Sequence, residues 1–179
     1  MKGFSIPFLN FQSNGEQRLV QIKIPKGQVD FVKVISNIGQ IHIETIHTKS
    51  LHAESDIGEI LIDQFRGEKA DIKTNIGKIN INSAVGKMNV STDKGQISLT
   101  LDEMVEDVYL MSNIGEINVN ILHVPDHITF DLSTNLGEIS VNGFDNVDGS
   151  SRKMVKELSE GGPILFGKTE IGKINIQHE

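Results

Sequence analysis

Apolar and polar residues alternate in short bursts along this chain, and each burst turns on a glycine. The recurring string is apolar, any, apolar, any, Ser/Thr, Asn/Asp, apolar, Gly, any, apolar, any, apolar. It is clearest in Val32 to Ile43, Leu51 to Ile62, Ala70 to Ile81, Val108 to Val119 and Phe130 to Val141. A weaker copy, with Lys94 before the glycine, runs from Met88 to Leu99, and a last one ends Gly172-Lys173-Ile174-Asn175-Ile176. Apolar residues sit seven and five places before the glycine and two and four after it. Both pairs alternate with period two, the signature of a strand buried on one side. Each copy therefore predicts two strands joined at a glycine corner.

The pattern glycines fall at 39, 58, 77, 95, 115, 137 and 172, at intervals of 19, 19, 18, 20, 22 and 35. A unit this short cannot bury its apolar face alone and must stack on its own copies. The predicted fold is all-β: a single-stranded β-helix or solenoid of about seven coils, about 19 residues each, with two strands per coil. Coils stacked at about 4.8 Å in the order of the sequence would leave the last copy, Gly172 to Gln177, as an open terminal strand. In that order Glu116 lies beside Glu138 in the column that follows the glycines, a repulsive neighbour pair. The corner itself reads as a type II turn, with Gly at its third position and the Asn or Asp side chain bonding the local backbone. Gly67 and Gly86, half a coil away, predict glycine turns at the opposite corner of the early coils.

The chain reads as one domain, 1–179, with three segments: an N-terminal cap (1–30), regular coils (31–142), and an irregular excursion with a closing strand (143–179). The cap holds Phe4, Phe8 and Phe11 and a candidate strand from Leu19 to Ile24. In the excursion, Ser151 to Leu158 fits a short helix or a hairpin partner of Pro163 to Phe166. Ile164 and Phe166 fall one place out of the repeat register, which predicts a bulge.

Composition narrows the function classes. Apolar residues make up 37% and aromatics 5%, yet their spacing is regular enough to line a thin core. The net charge of −7, without a basic stripe, argues against nucleic acid, since phosphate binding needs clustered Lys and Arg. With no cysteine there is neither a disulfide framework nor a thiolate metal site. The start is broken by Pro7 and Asn10, too early for a signal-peptide core, and no apolar run approaches the ~20 residues of a membrane helix. As written the chain reads as soluble and cytoplasmic.

Several motifs have a bland reading that outweighs the chemical one. Gly162 to Thr169 spells the phosphate-loop string G-x-x-x-x-G-K-T, but Pro163 removes a backbone donor and the string leads into a strand, where a phosphate site needs a helix. His42, His47 and His52 are evenly spaced, yet 42 and 52 fall on different strands, so they read as surface histidines and not as a metal site. Asp126-His127 has no nucleophile that spacing can nominate. Asp145 and Asp148, or Glu103, Glu106 and Asp107, have the residue types of a glycosidase pair or a cation site, against a plainer reading as solvated loop acids. No catalytic, cofactor or metal residue is assigned. The candidate binding surface is the flat polar face carrying Asn80, Asn82, Asn118, Asn120, Asn142 and Asn175, with Tyr109 and Phe65 as candidate aromatic platforms for a sugar.

The repeated Ser/Thr-Asn/Asp-Ile-Gly-x-Ile-x-Ile units from about residue 31 to the end, closing on Thr169-Glu170-Ile171-Gly172-Lys173-Ile174-Asn175-Ile176, resemble a bacterial adhesin-like β-strand-repeat family of unknown function. That resemblance implies a right-handed single-stranded β-helix, cell-envelope or surface association, and no catalytic residues to carry over. Regular architecture without a convergent catalytic set then points to a non-enzymatic binding or scaffolding module. Its expected partner is a protein or glycan of the cell envelope, with homo-oligomers forming through the solenoid ends. The competing readings are a polysaccharide-active enzyme using carboxylates on one face and a self-assembling structural protein.

Overall fold

The computed structural model describes residues 29–144, 151–157 and 161–178. Of the cap expected over residues 1–30, with Phe4, Phe8, Phe11 and the Leu19–Ile24 strand, all but Val29 and Asp30 lies outside them, as do Asp145 and Asp148. The described residues form a single 13-stranded sheet and contain no helix. In chain order the strands are β1 (Phe31–Ile38), β2 (Ile41–His47), β3 (Ser50–Ile57), β4 (Ile60–Ile76), β5 (Ile79–Lys94), β6 (Ile97–Glu103) and β7 (Val108–Ile114). They continue as β8 (Ile117–His123), β9 (Thr129–Leu136), β10 (Ile139–Asn142), β11 (Lys153–Glu157), β12 (Ile164–Ile171) and β13 (Ile174–Gln177).

Strands before the glycines pair in one parallel series and strands after them in another, so the sheet folds back on itself around a thin core. The first face runs β1, β3, the second half of β4, the second half of β5, β7, β12, β9. The second runs β2, the first half of β4, the first half of β5, β6, β8, β13, β10. This order corrects the expected stack. The last copy of the repeat, β12–β13, does not end the solenoid but inserts between the rung of β7–β8 and the rung of β9–β10. Gly172 to Gln177 is therefore an interior strand, hydrogen-bonded on both sides. The rung at that end is β9–β10, and its edge is covered: β11 pairs with β9 in antiparallel fashion, and Ser151 bridges to Ile139. Lys153–Glu157 is thus strand and not helix, and its partner is β9 rather than Pro163 to Phe166.

Insertion also changes the order of charges in the column that follows the glycines. Backbone bonds from Ile117 N to Lys173 O (2.9 Å) and from Ile174 N to Glu138 O (3.0 Å) place Lys173 between Glu116 and Glu138. The repulsive pair that sequence order predicts becomes an acid–base–acid column. The Asn/Asp column behaves alike. In stacking order it reads Asn37, Asp56, Asn75, Asp93, Asn113, Glu170, Asn135, a strict alternation of amide and carboxylate. Asn75 Nδ2 donates to Asp56 Oδ1 at 3.1 Å, Asn113 Nδ2 to Asp93 Oδ1 at 3.2 Å, and Asn135 to Glu170. These side chains bond across rungs, where a local turn bond was expected.

The corner glycines have φ between +126° and +157°, wider than the third position of a type II turn. A second constraint is steric. A Cβ on Gly115 would lie 1.6 Å from Gly95 O, one on Gly172 1.7 Å from Gly115 O, and one on Gly137 1.7 Å from Gly172 O. The glycine column thus repeats the inserted order and demands Gly because rung lies directly on rung. At the opposite corner, β4 and β5 run through Gly67 and Gly86 without a turn, bending at a register shift between Arg66 and Lys69.

The core follows the predicted columns. Leu51, Ala53, Ile60, Ile79, Met88, Val108, Leu110, Ile117, Phe130, Leu132, Ile139 and Ile174 are completely buried. At about 1.5–3 kcal/mol for each large aliphatic, this burial dominates the stability of the fold. A further inward column, Ile46, Phe65, Ala84, Leu101 and Ile121, continues the second face toward the far corner. No bulge breaks β12. Leu165 and Gly167 point inward opposite Val108 and Leu110, and Phe166 points out. Gly167 is small because a Cβ there would stand 2.9 Å from Leu132 Cδ2.

Candidate functional site

Two flat outer faces are available for binding. On the second face, register places Asn80, Ser98, Asn118, Asn175 and Ser140 in one column, and Thr100, Asn120, Gln177 and Asn142 in the next. The six asparagines nominated by sequence thus share one face, with Asn175 brought beside Asn118 by the inserted rung. Their amides are largely engaged with neighbours. Asn80 Nδ2 donates to Glu59 Oε1 (2.7 Å), Asn82 Nδ2 to Asp63 Oδ1 (3.0 Å), Asn175 Nδ2 to Asn118 Oδ1 (2.8 Å) and Asn142 Nδ2 to Ser140 Oγ (3.0 Å). Asn120 Oδ1 is buried without a protein partner. The face is a set of amide ladders, which rigidify a sheet more than they reach outward.

The first face carries a different constellation. Its half-buried outward row reads His52, Asp71, Asn89, Tyr109, Phe166, Asp131 across successive rungs. Tyr109 and Phe166 are adjacent only because β12 inserts beside β7. Their ring centroids are 6.0 Å apart with a 37° tilt, a favourable aromatic pairing. The Tyr109 hydroxyl donates to Asp107 Oδ2 (3.3 Å), and Lys87 Nζ stands 5.4 Å from the Tyr109 ring centroid and 3.7 Å from the same carboxylate. Asp107 Oδ1 also accepts from Ile164 N at 3.0 Å, so this carboxylate pins the start of β12. Beside the pair, Asn89 Nδ2 donates to Asp71 Oδ1 (2.7 Å), and Lys69 Nζ stands 2.9 Å from Asp71 Oδ2. Burial pushes the Asp71 carboxyl up, but the Asn89 and Lys69 hydrogen bonds, with the charges of Lys69 and His52, outweigh it and hold the group below its usual range.

The aromatic platform is therefore Tyr109 with Phe166. Phe65, the other residue nominated, is completely buried in the core. Sequence reasoning missed Phe166 because it counted that residue as an inward position; taking Leu165 and Gly167 as the inward pair turns Phe166 outward.

Other candidates disperse. Ile164 to Thr169, six of the eight residues of the phosphate-loop string, form strand β12. His42 Nε2 lies 2.8 Å from Asp63 Oδ2, His52 Nε2 3.4 Å from Glu54 Oε2, and His47 is registered with Arg66. Among the described residues no group of three His, Asp or Glu could hold a metal ion. Of the Glu103, Glu106 and Asp107 set, Asp107 is the half-buried anchor above, while Glu103 and Glu106 are exposed. Asp102 is drawn to Arg66 and accepts from Ser83 Oγ at 3.0 Å.

Stacked glycine-cornered strand pairs with ladder-bearing flat faces define an all-β repeat protein of solenoid type. The chain belongs to the Toastrack DUF4097 family, which it matches over residues 28–176, a family of unknown function. No curated protein and no solved structure matches it.

Proposed function

We propose that this chain is a non-enzymatic, adhesin-like binding or scaffolding module of the bacterial cell envelope. In this reading it is a right-handed single-stranded β-helix of about seven coils, about 19 residues each, that presents rigid faces to a partner. The proposed partner is an envelope glycan held on the first face. The observation that supports it is the Tyr109–Phe166 pair, set in a row whose neighbours, Asn89, Asp71 and Asp131, supply hydrogen-bond donors and acceptors. Aromatic surface for the apolar face of a sugar ring, edged by planar polar groups for its hydroxyls, is the composition such recognition uses.

A pull-down on peptidoglycan and a glycan array test this reading. Retention by the wild-type chain and at least a tenfold loss in Tyr109→Ala and Phe166→Ala are expected, with Asn118→Ala unchanged. Clean negatives on both supports, or retention that ignores both aromatic substitutions, would remove the glycan reading. One observation favours the enzymatic alternative: each aromatic residue has a carboxylate beside it, Asp107 at the Tyr109 hydroxyl and Asp131 in register with Phe166. Release of reducing ends from a retained glycan, abolished by Asp131→Asn, would establish that alternative in place of a binding module.

A further inference from the structure

The residue before each corner glycine stands outside the core. In stacking order this column reads Ile38, Ile57, Ile76, Lys94, Ile114, Ile171, Leu136. The six aliphatic members are 46–78% exposed. They form a straight apolar ridge along one edge, with a single lysine at its centre and three aliphatic residues on each side. Seven rungs at about 4.8 Å make it about 29 Å long. A contiguous apolar strip of this kind, rimmed by polar columns, marks an interaction surface more often than chance exposure does.

We propose that this ridge is the interface of a two-fold symmetric dimer, in which two solenoids pack edge to edge with their axes antiparallel and Lys94 at the dyad. The flanking charges favour this occupant and this orientation. On the glycine side the column reads Gln40, Glu59, Lys78, Gln96, Glu116, Lys173, Glu138. Reversal about Gln96 sets Glu59 against Lys173 of the second copy and Lys78 against its Glu116, and symmetry repeats both pairs. Gln40 then meets Glu138, and Gln96 meets its own equivalent. Lys78, Glu116 and Lys173 are exposed and form no ion pair within the chain among the described residues.

On the other flank reversal sets Asp93 against its own equivalent, and the two Lys94 side chains at the dyad stand beside both carboxylates. Asp56 faces Glu170, where Lys168 Nζ, 2.9 Å from Glu170 Oε1, supplies the countercharge. A parallel dimer also brings Lys94 to Lys94, but it sets Asp56 against Glu59 and Lys78 against Asn75, so the Lys78–Glu116 pairs are lost. Isologous pairing of a self-complementary edge is the commonest form of closed assembly. This interface is lateral, unlike an assembly through the solenoid ends, and it leaves the Tyr109–Phe166 face free.

Sedimentation equilibrium of the full chain and cysteine cross-linking test the proposal, since the chain has no native cysteine. A mass twice 19.7 kDa is expected at high concentration. Lys78→Glu should weaken the dimer by about tenfold, and the double variant Lys78→Glu/Glu116→Lys should restore it to within about twofold. Under mild oxidation Lys94→Cys should cross-link to itself and Ile38→Cys should not, while a mixture of Ile38→Cys and Leu136→Cys should give a heterodimer. A strict monomer at high concentration overturns the proposal, and so does Ile38→Cys cross-linking to itself as readily as Lys94→Cys. Circular dichroism of each variant confirms that the fold is retained.

Discussion

Gly115 shows how a single missing side chain can govern the fold. Its φ of +147° already disfavours any other residue, and a Cβ would meet the Gly95 carbonyl oxygen at 1.6 Å. Gly39, at φ +126°, has nothing within 4 Å of the same position. Gly39→Ala is therefore expected to cost only backbone strain, about 1–2 kcal/mol, whereas Gly115→Ala must push neighbouring rungs apart and should cost well over ~3 kcal/mol. Urea unfolding of the two variants measures the difference, and equal losses would mean that close stacking is not what selects glycine. Below the corner, the repeat's Ser/Thr position is buried: Thr134 Oγ1 donates to Gly172 O at 3.1 Å and Thr169 Oγ1 to Gly115 O at 3.3 Å. In the earlier rungs Ser55, Thr74 and Thr92 make no such bond. Asp71 carries a pH signature. Its carboxyl titrates below 3.8 in the folded chain, so the unfolded chain takes up the proton first as pH falls. The stability it contributes is complete above that ordinary value and is lost as pH drops through the lower, native one. Thermal unfolding across acid pH should show wild type more stable than Asp71→Asn near neutrality, with the gap closing in strong acid. A gap that stays constant would mean that the carboxylate contributes nothing specific.

The strands themselves were legible in the sequence, because each copy carries its own period-two apolar pairs around a glycine. Their stacking order was not. Every copy offers nearly the same core columns, so the hydrophobic pattern cannot say which copy lies on which. Order is read instead from residues the pattern leaves free: Lys173 between Glu116 and Glu138, Glu170 between Asn113 and Asn135, and the small Gly167 opposite the large Leu110 and Leu132. The inserted element makes a prediction that a terminal strand would not. Amides of β12 and β13 are bonded on both flanks and should exchange with deuterium as slowly as those of β7 and β8. Rapid exchange of β13, like a fraying end, would contradict the insertion.

At the scale of the molecule, insertion also explains why the candidate site was only half visible. Tyr109 was nominated by its residue type alone. Its partner Phe166 lies far along the chain and reaches it only through the out-of-order rung. The edge ridge shares this origin, since Ile171 stands between Ile114 and Leu136 and so centres the column on Lys94. Aromatic platform, charge columns and apolar edge all depend on one topological statement, that the last rung lies between the two before it. Paired cysteines test that statement most directly. Neighbouring rungs lie about 4.8 Å apart, within disulfide range, while rungs two apart, at about 9.6 Å, lie beyond it. Asn118→Cys/Asn175→Cys should form an intramolecular disulfide under mild oxidation, and Asn118→Cys/Ser140→Cys should stay reduced. Ready bridging of 118 to 140, with none between 118 and 175, would contradict the insertion and every column built on it.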